Sequence, residues 1–123
     1  NKQAHSCEKQ EIESLFIDKP VNIWELYQNL IAQVQKFGPM ETHIAKWNVT
    51  LRSAITFMTV IPEKKHLTIT FIRDEALDDF PVYDSYHHSK NHWSNLVKIE
   101  SRDEIDKQLL TWLKEAYALC SEN

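Results

Sequence analysis

Gly38 is the only glycine among 123 residues, and its isolation restricts what the chain can build more than any motif it contains. A backbone that wraps a phosphate needs positive φ, or an approach that a Cβ would block, at several places in one loop. The P-loop, the dinucleotide-binding fingerprint and the nucleophile elbow each need two or more glycines at fixed spacing. None of the three can be written with a single glycine. The same scarcity gives Gly38 a local meaning: with Pro39 behind it, it stands where a helix must stop, and it is expected to adopt positive φ there as a C-cap.

The helix that Gly38 ends is read over Val21 to Phe37. Asn22 and Glu25 have the spacing of a capping box, and Val21 and Leu26 that of a hydrophobic staple. Ile23, Leu26, Leu30, Val34 and Phe37 form one apolar stripe. A second helix is expected from about Arg102 to Cys120. It opens on a Ser101/Glu104 capping box and carries Ile105, Leu109, Trp112, Leu113 and Ala116 on one face. Glu8 to Phe16 is read as a short N-terminal helix.

Between the two long helices the period falls to two. Trp47, Val49 and Leu51 alternate with polar neighbours, and Leu67, Ile69 and Phe71 do the same. Ile55 to Ile61 is a further strand, and Leu96 to Glu100 a short fourth. Pro62 to Lys65 supplies a turn, so Ile55–Ile61 and Leu67–Arg73 should pair as an antiparallel hairpin. If Ile55, Phe57 and Ile61 share the core face with Leu67, Ile69 and Phe71, the loop must hold an odd number of residues. The fold class is therefore α+β: an antiparallel sheet of about four strands with two long helices on one face, in the order helix, strands, helix. Residues 1–20 read as a tail and 21–120 as a single domain. Asp74 to Trp93 is a long connection without clear period, relieved by a helical turn at Glu75 to Phe80.

Hydrophobic residues at 42% can fill one core, and the net charge of −4 provides no basic stripe for duplex DNA. No apolar run is long enough to span a bilayer, so no membrane partner is expected and the chain is read as cytoplasmic. Cys7 and Cys120 are read as free thiols.

Several groups carry candidate chemistry. The long connection holds Tyr83, Asp84, Tyr86, His87, His88, Lys90, His92 and Trp93. On a helix His88 and His92 would share a face and could hold a metal with Asp84; in a solvated loop they and the aromatics would meet a partner. Glu63 and Lys65 have the E-x-K spacing of metal-dependent nucleases, but the neighbouring strand lacks the second acid that such a site needs. Lys64, Lys65 and His66, with Arg52 and Arg73 towards the other end of the sheet, could form a basic rim. Trp47 would stack on bases if it faced outward, and is core otherwise. Asp74, Glu75, Asp78 and Asp79 lack the spacing of a calcium loop and read as a solvated face.

Three blocks carry a family resemblance. They are Lys36-Phe37-Gly38-Pro39-Met40-Glu41-Thr42-His43, then Thr56-Phe57 with Pro62 and Leu67, and above all the closing block. The last runs Val97-Lys98-Ile99, Asp103, Ile105, Asp106 and Trp112-Leu113-Lys114-Glu115-Ala116-Tyr117. On these blocks the chain resembles the domain of unknown function 5655 family over roughly Val21 to Ala118. The resemblance implies a fold and brings no activity with it. Members attached to restriction-type and nuclease-like modules imply an accessory role near nucleic acid. A related group has a zinc knuckle ahead of this domain, and His5-Ser6-Cys7 is similar to the His-x-Cys pair that closes it. His5 and Cys7 would then bind zinc only with a C-x-x-C upstream of Asn1, in a longer chain. No cofactor is expected in this chain itself. The element order is also similar to frataxin-like proteins, but Glu25 is the only acid on the first long helix here.

The expected function is a non-enzymatic binding or accessory module that meets a protein or single-stranded nucleic acid through its open sheet face and the 74–93 connection. The alternative is a small metal- or histidine-dependent hydrolase or nuclease that uses the same connection.

Overall fold

The computed structural model describes residues 11–121. Of the short helix expected over Glu8 to Phe16, residues 11–14 are helical (α1), and positions 8–10 lie outside the described residues. Two long helices follow, α2 at Val21–Val34 and α3 at Lys107–Leu119. Between α2 and α3 lie six strands, not four: β1 Glu41–Ile44, β2 Val49–Arg52, β3 Thr56–Pro62, β4 Leu67–Arg73, β5 Asp84–Ser89 and β6 His92–Ile99. They form one antiparallel sheet in the order β1-β2-β3-β4-β6-β5.

The apolar stripes place the helices as expected. Ile23, Leu26, Leu30 and Val34 of α2 and Leu109, Trp112, Leu113 and Ala116 of α3 are buried against the sheet. Both helices touch β4 and each other, so they share one face, and Phe71 of β4 stacks on Trp112 at 5.8 Å. Each fully buried side chain of this kind contributes about 1.5–3 kcal/mol. The N-terminal segment closes the core alongside α2, where Phe16 packs against Trp24 and Tyr27 with ring centroids 5.0 Å from each.

The helix starts differ from the expectation. Asn22 and Glu25 make no capping box: α2 starts at Val21, but the N-cap is Pro20, two residues before Asn22, with no side-chain cap, and Val21 is exposed. Proline has no N–H to satisfy and its φ is preset, so it can open the helix without Asn22. The Ser101/Glu104 capping box does form, but it closes a 3-10 turn at Arg102–Glu104. The helix proper starts at Lys107, where the Asp106 side chain accepts the Leu109 N–H at 2.9 Å. The Leu110 N–H then donates to the Asp106 carbonyl at 3.0 Å, so one residue caps the helix and begins its ladder.

The register also differs. Pro62, not Ile61, pairs with Leu67, so the loop holds the four residues 63–66, an even number. A bulge is the cause: Leu51 pairs with Met58 but Arg52 with Thr56, leaving Phe57 as the extra residue. Phe57 is fully buried beside Tyr117, Met58 and Val60 take the core face, and Ile61 turns to the open face. Ile55 lies outside the strand and is exposed.

The long connection is shorter than expected. Its second half is the β5–β6 hairpin, turned at Lys90 and Asn91 with Asn91 at φ 63°, and no helical turn forms over Glu75 to Phe80. Asparagine tolerates that backbone better than most residues, which is the signal that the Lys90-Asn91 pair carried.

Gly38 has positive φ, as expected, but not as a left-handed helical cap. Its φ of 147° and ψ of −170° put it in an extended region open essentially to glycine, after a 3-10 turn at Gln35–Phe37. A Cβ there would lie 2.5 Å from the Tyr117 hydroxyl, which donates to the Pro39 carbonyl at 2.7 Å. Gly38→Ala should therefore lower stability by about 1–3 kcal/mol. In a thermal-denaturation double-mutant cycle, Tyr117→Phe should cost less in the Gly38→Ala background than in the wild type, because it removes the clashing oxygen.

Burial raises the Tyr27 phenol to about 12 and the Cys120 thiol to about 11. Both groups hold their protons more tightly in the folded chain than in the unfolded one. Their contribution is complete below the unfolded values near 9 and 10 and is lost as pH rises towards 11 and 12. Melting temperature should fall above about pH 9, and Cys120→Ser should remove the earlier part of that fall.

Candidate functional site

With both long helices on one face, no helix among the described residues covers the other face of the sheet. Strand register assigns its residues: one row runs Ile61, Thr68, Lys98 across β3, β4 and β6, and another Ile72, Ser94, Tyr86 across β4, β6 and β5. Tyr83 and Tyr86 are about half exposed, at 50% and 51%. A shallow trough of about 270 Å³ lies among Thr59, Thr70, Ile72, Tyr86 and His88.

A larger cleft of about 600 Å³ opens at the β3–β4 turn, lined by Lys19, Trp47, Ile61, Glu63, Lys64 and Lys65, among others. Trp47 is not core. It sits in the turn before β2, 70% exposed, with the Lys46 ammonium 5.2 Å from its ring centroid. Lys19 reaches the cleft from the N-terminal segment and bonds Asp18 at 2.7 Å. That bond lowers the Asp18 carboxyl below its ordinary value. Glu63 is the one carboxylate among the described residues that line the cleft, and the Thr68 hydroxyl donates to it at 3.3 Å. Ile61 lines both the cleft and the trough, so the two adjoin.

Tyr83 repeats the arrangement seen at Trp47. The Lys98 ammonium lies 4.8 Å from its ring centroid. Burial first, and then the Asp84 and Glu63 carboxylates, raise its phenol above the ordinary value.

Of the other expected site residues, His88 lines the trough and the rest fall elsewhere. Arg73 is not on a rim: it points to the helix-covered face and pairs with Glu115 of α3 at 3.0 Å. Trp93 shares that face, 4.9 Å from the His87 ring. Arg52 donates to the Ala54 carbonyl at 3.2 Å, and its Nε is buried without a partner. His88 and His92 are not on a helix but on the two strands of a hairpin, with His92 near the Ser89 hydroxyl at 3.3 Å. Among the described residues no three His, Cys, Asp or Glu side chains come together to hold a metal ion. His5 and Cys7 lie outside the described residues. No helix among those described is long and apolar enough to cross a membrane.

Residues 12–119 match the model of the family described as Domain of unknown function (DUF5655). The chain belongs to this family. No curated protein and no solved structure matches it significantly.

In this DUF5655 domain one buried polar residue holds the connection ahead of β5. Asn95 is fully buried on the helix-covered face, accepts the Leu77 N–H at 2.8 Å and the Ser85 hydroxyl, and donates to the Glu75 carbonyl at 3.2 Å. The sequence pattern starts this strand at Leu96, whereas β6 starts at His92, so sequence alone does not mark Asn95. Asn95→Ala should cost about 1–3 kcal/mol by leaving those groups unpaired. Hydrogen exchange should show the Leu77 amide losing protection while β3 and β4 amides keep theirs.

Proposed function

We propose that the domain is a non-enzymatic binding module that takes single-stranded nucleic acid at the cleft beside the β3–β4 turn. The observation that carries this reading is the exposed Trp47 ring standing in a cleft lined by Lys19, Lys64 and Lys65. An exposed aromatic offers a base a stacking surface of any sequence, and lysines around it attract the phosphates. The overall charge of −4 does not oppose this, because exposed charges beyond a Debye length of ~8–10 Å are largely screened. A duplex would hide its base faces from Trp47, which favours a single strand as the ligand.

Fluorescence anisotropy with a labelled ten-nucleotide oligo-dT tests the reading. Trp47→Ala should weaken binding by about tenfold or more, given ~1–3 kcal/mol per stacked base, and Trp47→Phe should restore much of it. Replacing Lys64 and Lys65 with Glu should weaken binding and flatten its salt dependence, with a loss of slope of about 0.7 per phosphate contact. Unchanged binding in Trp47→Ala would remove the basis of the proposal.

A further inference from the structure

The geometry points to a second base-stacking position at Tyr83 and Lys98, which makes the site a path across the sheet for a short single strand. This inference rests on the cleft reading above. Two lysine-on-aromatic pairs are present, Lys46 over Trp47 at 5.2 Å and Lys98 over Tyr83 at 4.8 Å. Each offers a half-exposed or more exposed ring with an ammonium over one face, and a base that stacks there turns the flexible lysine towards its adjoining phosphate.

The row Ile61, Thr68, Lys98 joins them. Ile61 lines the cleft, and Lys98 lies two strands further on, about 10 Å at the usual strand spacing of ~4.8 Å. Between them Thr68 is buried, its hydroxyl donating to Glu63 at 3.3 Å, so a single strand passes over the side chains that cover it. The occupant is argued from charge: Lys64 and Lys65 stand at one end of the row and Lys98 at the other. Asp84 follows Tyr83 in the chain and Glu63 lines the cleft, so phosphates are led along the lysines and the neutral base is left to the ring. Sheet platforms of comparable width stack two or three bases.

The length dependence of binding tests this. Affinity for oligo-dT should rise from two to about four nucleotides and then level off. Tyr83→Ala and Lys98→Ala should each lower affinity for the six-nucleotide strand by about tenfold and abolish the rise, and Tyr83→Phe should keep it. Circular dichroism checks that each variant is folded. Equal affinity of the wild type for two and six nucleotides would overturn the second position while leaving the cleft reading standing. Binding at no length would sink both. A ten-residue glutamate peptide that competes as well as the six-nucleotide strand would show attraction by charge alone and would also overturn the inference.

Discussion

Phe57 is the residue by which β3 exceeds β2, and the faces of β3 follow from where it goes. Its ring is fully buried against Tyr117, so the strand closes up behind it and the alternation shifts by one. Met58 and Val60 then meet Phe71 and Ile69 under the helices, and Ile61 is delivered to the open face. Without the shift, Ile61 would be core and the cleft would lose the residue that connects it to the rest of the open face.

What the sequence made legible follows the same physics. β4 was readable because its apolar positions alternate against a buried face, and the helix stripes were readable because each buries one side only. β5 was not, since Asp84–Ser89 is an edge strand with polar residues on both faces and so has no hydrophobic period. β1, four residues long and nowhere fully buried, was hidden for the same reason. Trp47 was drawn into the β2 alternation although it stands in the turn before it. The parity error at Ile61 came from a bulge, which a pattern of alternation cannot show.

The candidate site was legible in part. Lys64 and Lys65 were marked by their place in a polar turn, and Tyr83 by the connection it belongs to. Lys19, Lys46 and Lys98 are scattered along the chain and acquire a common setting only through the sheet order. Arg73 was misplaced because a charged residue at a strand end reads as exposed, whereas Glu115 on α3 draws it to the covered face.

Asn95 also bears on how the chain reaches its fold. β1 to β4 pair in sequence order, and β5 pairs with β6, so these hairpins can form locally, while the β4–β6 seam must wait for the connection between them to close. Closing a loop costs entropy that grows slowly with its length, and contacts across it are the slow ones to form. By gripping Glu75 and Leu77 from β6, Asn95 ties the connection down near its start. One amide side chain thus shortens the stretch of chain left free once the two halves of the sheet have met.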